Sequence, residues 1–274
     1  MKLIKSLVAI VAMLGVGFVA GTSAVTSAPE VKAPTQITQS AYEATPGPYG
    51  SGVLGDWSTL SHGLYCFNPD GSLQNYYTKA ARKTQALSSA SLTCSGEDVR
   101  LYGDSITFGG KSAFAAEMGA YGLTTYVDAW SGRPTTPIAD AIEAETNFPP
   151  VVVVASGTND IFNPTVMAAQ INRIKNHISA VSPNTKLFWV DVQATRWGQT
   201  DVIERNDQRN SMAVNLAIYQ NMPTNRVIQW SQRFMNNPSL LVNYLVDGVH
   251  PKTGTGYAYW AAILRGWLDS LGGI

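Results

Sequence analysis

The stretch Leu101-Tyr102-Gly103-Asp104-Ser105-Ile106-Thr107 decides how the chain is to be read. Val99 and Leu101 mark a short extended run, which breaks at a glycine, an acidic residue and a serine and gives way to Gly109-Gly110 and an Ala-rich helical segment. That order is a strand, a tight turn and a helix. A serine on such a turn leaves the sheet at the carboxyl edge of its strand, where open α/β sheets bind ligands, and it lies beside the N–H groups of a helix start. Its hydroxyl is a candidate nucleophile. The same residue also suits a helix N-cap, a role Ser fills with no chemistry attached.

Outward from this point, strand-like and helix-like stretches alternate from Glu97 onward. Strands are expected at Val99 to Tyr102, Thr124 to Ala129, Val151 to Ala155, Leu187 to Asp191 and Arg226 to Trp230. Helices are expected near Ser112 to Ala120, Pro137 to Glu145, Pro164 to Ala180, Arg205 to Gln220 and Gly256 to Leu271. Ile171, Ile174, Ile178 and Val181 recur at helical spacing and should face a core. Val151-Val152-Val153-Val154 reads as a strand buried on both faces, as in a parallel sheet covered by helices. The pattern predicts a three-layer α/β/α domain around a five-stranded parallel sheet.

The chain has 274 residues, 45% hydrophobic and 14% charged, enough to bury one full core. Lys plus Arg and Asp plus Glu both number 19, so no net field would draw the protein to nucleic acid or an anionic membrane. Residues 1–28 carry a basic start (Lys2, Lys5), an apolar run from Leu7 to Ala20 and small residues through Ala28, the pattern of a signal peptide. The run is short for a bilayer span; an uncleaved anchor is the alternative. The protein is therefore expected to be secreted or associated with the cell envelope, with no integral membrane domain in the mature chain. Export would place Cys66 and Cys94 where two thiols pair, closing a loop worth about 3 to 4 kcal/mol in the chain-entropy model. Residues 29–96 read as a tether and N-terminal extension held by that disulfide, and 97–274 as the main domain. Within the extension, Trp57, Tyr65, Phe67, Tyr76 and Tyr77, among turn signals such as Asn68-Pro69-Asp70-Gly71, point to some ordering against the main domain.

Near the C-terminus, Asp247-Gly248-Val249-His250-Pro251 sets a carboxylate and an imidazole three apart in a glycine-containing loop. The carboxylate can then bond one ring nitrogen while the other faces a serine, although the pair also suits a cap and turn. Of the other two histidines, His177 borders the apolar stripe of a helix and His62 sits in the extension. An ester's tetrahedral intermediate also needs preorganised donors. Asn159, in Gly157-Thr158-Asn159-Asp160 after the valine strand, and Gly132, in Ser131-Gly132-Arg133 after another strand, could supply them, and each also fits as ordinary loop chemistry.

These blocks resemble the SGNH family of GDSL-type serine hydrolases. Gly103-Asp104-Ser105 matches its first block, Gly132 its second, Gly157-x-Asn159-Asp160 its third and Asp247-x-x-His250 its fifth, in family order and over roughly residues 97–274. The first block continues Ile106-Thr107 where the namesake has leucine. The resemblance implies a flavodoxin-like SGNH hydrolase fold, with Ser105 as nucleophile, His250 as general base then acid, and Asp247 as its orienter. It also implies an oxyanion hole of Ser105 N–H, Gly132 N–H and the Asn159 side chain. Gly-x-Ser-x-Gly is not found around Ser105, which argues against an α/β-hydrolase. Three scattered histidines and two distant cysteines form no metal cluster, and no cofactor is expected.

The function expected is an exported, monomeric serine esterase. It would hydrolyse short acyl, acetyl-like esters of a small molecule, glycan or glycolipid of the cell envelope through an acyl-enzyme. A lipase or acyltransferase working on longer chains, and a non-catalytic carbohydrate-binding module, are the alternatives. The loops after Ala129, Ala155 and Asp191 are short by sequence, leaving little wall for a long acyl chain. Trp130, Arg133 and Trp197 are expected to offer flat and hydrogen-bonding surface to a sugar.

Overall fold

The structure, a computed structural model, describes residues 63–78 and 96–274. The expected signal peptide, most of the extension, His62 and Cys94 lie outside the described residues.

Seven strands form one sheet: β1 (Gly63–Phe67), β2 (Leu73–Thr78), β3 (Val99–Gly103), β4 (Thr125–Ala129), β5 (Val151–Ala155), β6 (Lys186–Val190) and β7 (Val227–Ile228). Their order is β2-β1-β4-β3-β5-β6-β7. The last five in sequence are the expected parallel set, all paired in parallel. The sheet is not purely parallel, however. Residues 63–78 add an antiparallel hairpin, with Leu64 opposite Asp128 and Cys66 opposite Tyr126. The hairpin closes at the expected turn, where Asn68 N donates to Ser72 O at 2.8 Å and Ser72 N to Asp70 Oδ1 at 2.8 Å. Tyr65 and Phe67 face the main core, while Leu64 and Cys66 pack with Tyr126 on the other face. The edge of β4 is thereby paired rather than left open.

The helices are α1 (Ser105–Gly119), α2 (Thr135–Glu143), α3 (Met167–Val181), α4 (Asp201–Asn221), α5 (Ser231–Asn236), α6 (Ser239–Tyr244) and α7 (Thr255–Ser270). β-Branched Val151 to Val154 are all buried, as a strand covered on both faces requires. On α3 the buried stripe is Met167, Ile171, Ile174 and Ile178, whereas Val181 is half-buried. α1 packs against α7 closely enough that a Cβ on Gly110 would overlap the Trp260 ring. At the end of β3 remote from Ser105, buried Arg100 is held by Glu97 at 2.5 Å through both Nε and Nη2 and lies over the Tyr126 ring at 4.5 Å.

In the parallel set the chain passes from β3 to β4 on one side and then to β5 on the other. The carboxyl end of β3 is therefore the topological switch point, where doubly wound sheets open a crevice. Ser105 stands there.

Candidate active site

Asp104, not Ser105, caps α1. Its backbone is extended and its Oδ1 accepts from Ile106 N at 3.0 Å. The capping alternative for Ser105 is thus taken by its neighbour, and the serine becomes the first residue of the helix with its hydroxyl free to point elsewhere. It points at His250: Ser105 Oγ lies 2.9 Å from His250 Nε2, both groups being buried.

The imidazole is held from behind by Asp247, whose Oδ2 lies 2.8 Å from His250 Nδ1. Asp247 Oδ1 accepts from the backbone N–H groups of Val249 at 2.9 Å and His250 at 2.7 Å. Burial pushes this carboxyl up, but the hydrogen bond and charge of His250 and the two backbone donors outweigh it, leaving the group below the usual carboxylate range. An ionised Asp247 accepts a proton bond from Nδ1 and so fixes the tautomer with an open Nε2 lone pair toward Ser105. Gly248 makes the loop geometry accessible. Its φ is +84°, and a Cβ there would run into the carbonyl of Thr195.

The expected oxyanion donors follow the two strands that flank β3. Gly103 is in register with Ala129 of β4 and Ala155 of β5, so the loops bearing Gly132 and Asn159 rise on either side of Ser105. Ser105 N is the first orphan donor of α1. Gly132 has φ +69°, a left-handed turn suited to glycine. Asn159 is buried and gives one N–H to Arg133 O at 3.3 Å, which orients its carboxamide and leaves a second N–H. Asp160 supplies a tie that no spacing in the sequence marked out. Its Oδ2 accepts from Thr135 N at 3.0 Å and Thr135 Oγ1 at 2.7 Å, joining the Gly132 loop to the Asn159 loop. Ser156 Oγ adds a contact with Thr135 Oγ1 at 2.6 Å.

Three residues expected to touch substrate separate in the structure. Arg133 does not: it is fully buried, with Nη1 donating to Asp128 Oδ1 at 3.0 Å and Asp128 O at 3.1 Å, and Nη2 to Pro137 O at 3.2 Å. A guanidinium this committed braces the Gly132 loop and cannot meet a sugar. Trp130 is half-buried and stacked under that guanidinium, 3.5 Å from its carbon to the ring centre. Trp197 is half-buried beside Gly248 and donates its backbone N–H to Asp247 O at 2.8 Å. The loop after Ala129 is short as expected (residues 130–134), whereas residues 156–166, with two 3-10 turns between β5 and α3, and residues 191–200, between β6 and α4, form longer connections. Buried Arg196 anchors the second of these through two 2.7 Å bonds to Asp207. His177 is accounted for by a 2.8 Å contact with Glu145 O and an edge-on contact with Phe148.

Burial also pushes the Asp104 carboxyl up to about 6, against the opposing pull of Ile106 N–H and the charge of His250. Among the described residues no group of three or more His, Cys, Asp or Glu is placed to hold a metal ion, and no helix is long and apolar enough to cross a membrane. The arrangement can therefore pass a serine proton to an imidazole backed by a carboxylate, beside three backbone and side-chain donors.

Several solved structures resemble this one. The C-terminal catalytic domain of Streptococcus pneumoniae peptidoglycan O-acetyltransferase A is 15% identical, with 65% of this chain and 96% of that chain covered and a TM-score of 0.48. A catalytic mutant of Axe2, an acetylxylan esterase from Geobacillus stearothermophilus, is 16% identical, with 66% and 96% covered and a TM-score of 0.43. No curated protein matches the sequence. Residues 101–258, more than half of the chain, match the GDSL-like Lipase/Acylhydrolase family, from Leu101 before Ser105 to Ala258 beyond His250. The chain thus belongs to that family, as the SGNH-type blocks around Ser105 and His250 led us to expect, and is a serine ester hydrolase.

Proposed function

We propose that the protein is an exported esterase that removes short acyl groups through an acyl-enzyme on Ser105, with specificity set on the alcohol side of the ester. The observation that carries this reading is the continuous hydrogen-bonded run from Ser105 Oγ through His250 to Asp247. His250 Nε2 takes the serine proton as Oγ attacks the acyl carbon, and Asp247 steadies the imidazolium that forms. Ser105 N–H, Gly132 N–H and the remaining Asn159 N–H receive the oxyanion. Collapse expels the alcohol, which takes its proton from His250, and water then repeats the sequence to free the acid. One chain supplies every one of these groups, so the proposed working unit is the monomer.

The preference for short acyl groups is supported by the short loop after Ala129, residues 130–134, which leaves little wall for a long acyl chain. Asp104 and Ile106, on either side of Ser105 in the chain, border a separate small cavity of about 20 Å³ whose lining includes neither Ser105 nor His250. Export rests on the basic and apolar pattern of residues 1–28, and in an oxidising compartment Cys66 pairs with Cys94. The test is kcat/KM across p-nitrophenyl esters of two to sixteen carbons. Efficiency highest for acetate and falling with length is expected. A steady climb with chain length would replace this reading with that of a lipase.

A further inference from the structure

A second cleft, of about 320 Å³, opens on the Asp247 side of the triad, between the 191–200 loop, α4, α5 and the start of α6. It adjoins the catalytic groups in two ways. Trp197 and Thr195, on its wall, pack against Gly248 between Asp247 and His250. Val192 and Gln193 line both this cleft and the small cavity beside Asp104 and Ile106. It therefore lies on the same carboxyl edge of the sheet as Ser105.

The chemistry of the wall is selective. No lining residue is charged, so a carboxylate or phosphate entering it would be desolvated with no compensating partner. Some of its polar groups are already committed: Ser211 Oγ donates to Ala194 O, and Asn215 holds Val192 through both its N–H and its C=O. Gln193, Thr195 and Gln208, by contrast, make no side-chain hydrogen bond to another described residue and are available to a ligand. Phe234 forms a buried apolar floor, and Trp197 presents part of its indole. A ligand matching this surface has one flat apolar face, a rim of neutral donors and acceptors, and no charge. A long acyl chain would leave the carboxamides and hydroxyl unpaired.

We infer that this cleft binds an uncharged pyranose unit on the alcohol side of the ester, its C–H face on Trp197 and its hydroxyls on Gln193, Thr195 and Gln208. The inference rests on the esterase reading above and adds to it the substrate class, neutral rather than acidic glycan. The mouth of the cleft carries two exposed methionines, Met212 at 64% and Met235 at 67% exposure, which serve as reporters.

The experiment is hydroxyl-radical footprinting of full-length Ser105→Ala protein with xylotetraose, a galacturonate tetramer or decanoate. Xylotetraose is expected to slow oxidation of both methionines by at least about twofold, with the other two ligands giving none of this protection. In the active enzyme, Gln208→Ala is expected to lower kcat/KM for an acetylated xylo-oligosaccharide, relative to p-nitrophenyl acetate, by about 3- to 10-fold, the worth of one hydrogen bond. Absence of protection by xylotetraose, equal protection by the galacturonate tetramer or by decanoate, or an unchanged Gln208→Ala ratio would overturn the inference. Wild-type hydrolysis of p-nitrophenyl acetate keeps the two readings apart. If it is present and the footprint fails, only the glycan cleft falls; if it is absent, the esterase reading falls as well.

Discussion

Replacing Asp104 with Asn separates the cap from the charge. The carboxamide oxygen of Asn can keep the bond from Ile106 N that starts α1, now 3.0 Å to Asp104 Oδ1, while the ionisable proton disappears. In the folded protein burial raises the Asp104 pKa to about 6, against about 3.9 for an unperturbed Asp. The unfolded chain thus releases this proton at lower pH than the native one. Stability from this group is complete below about pH 4 and is lost as pH rises through the window up to about 6, beyond which the penalty is constant. Two pKa units correspond to about 3 kcal/mol in all, of which about 2 kcal/mol falls between pH 4.5 and 7.5. Asp104→Asn should therefore become more stable relative to wild type by about 2 kcal/mol between those two pH values. Urea unfolding of both proteins at each pH measures this, and the double difference cancels every group common to them, including Asp247 with its opposite shift. An Asn-minus-wild-type difference that stays constant across pH would refute the argument that a buried, costly carboxylate underlies the nucleophile.

The remaining predictions concern three other parts of the molecule. Asn159→Ala removes one oxyanion donor and should lower kcat by about 10²- to 10³-fold with little change in KM, measured on p-nitrophenyl acetate. Arg133→Ala removes the guanidinium that pairs with buried Asp128 and should cost about 3 to 5 kcal/mol in urea unfolding, whereas a stable variant with only a raised KM would restore the sugar-contact role. Peptide mapping of unreduced protein recovered from the exported fraction should find Cys66 linked to Cys94, and two alkylated thiols would show that they do not pair.

What could be read from the sequence was what local chemistry decides. The valine run of β5 announces burial on both faces without reference to any other strand. Gly103, Gly157 and Gly248 stand two residues before Ser105, Asn159 and His250, and at each a Cβ would overlap neighbouring atoms. Long-range geometry was harder to read. Residues 63–78 show a turn, but their place in the sheet depends on pairing with β4, far along the chain. Arg133 next to Trp130 suggests a binding surface, and only the turn that brings Asp128 underneath sends the guanidinium inward. The six-residue helices α5 and α6 are too short to show a period, so the cleft they enclose with the 191–200 loop left no signature in the chain.

The central claim is that Ser105 Oγ carries the acyl group between the two halves of the reaction. Rapid mixing with p-nitrophenyl acetate, acid quench within the first turnovers and peptide mass spectrometry test it directly. The account predicts one acetyl group on the peptide containing Ser105, absent from Ser105→Ala protein, whose turnover falls by about 10⁴-fold or more. Acetyl on any other residue, or near-normal turnover in Ser105→Ala, would contradict it.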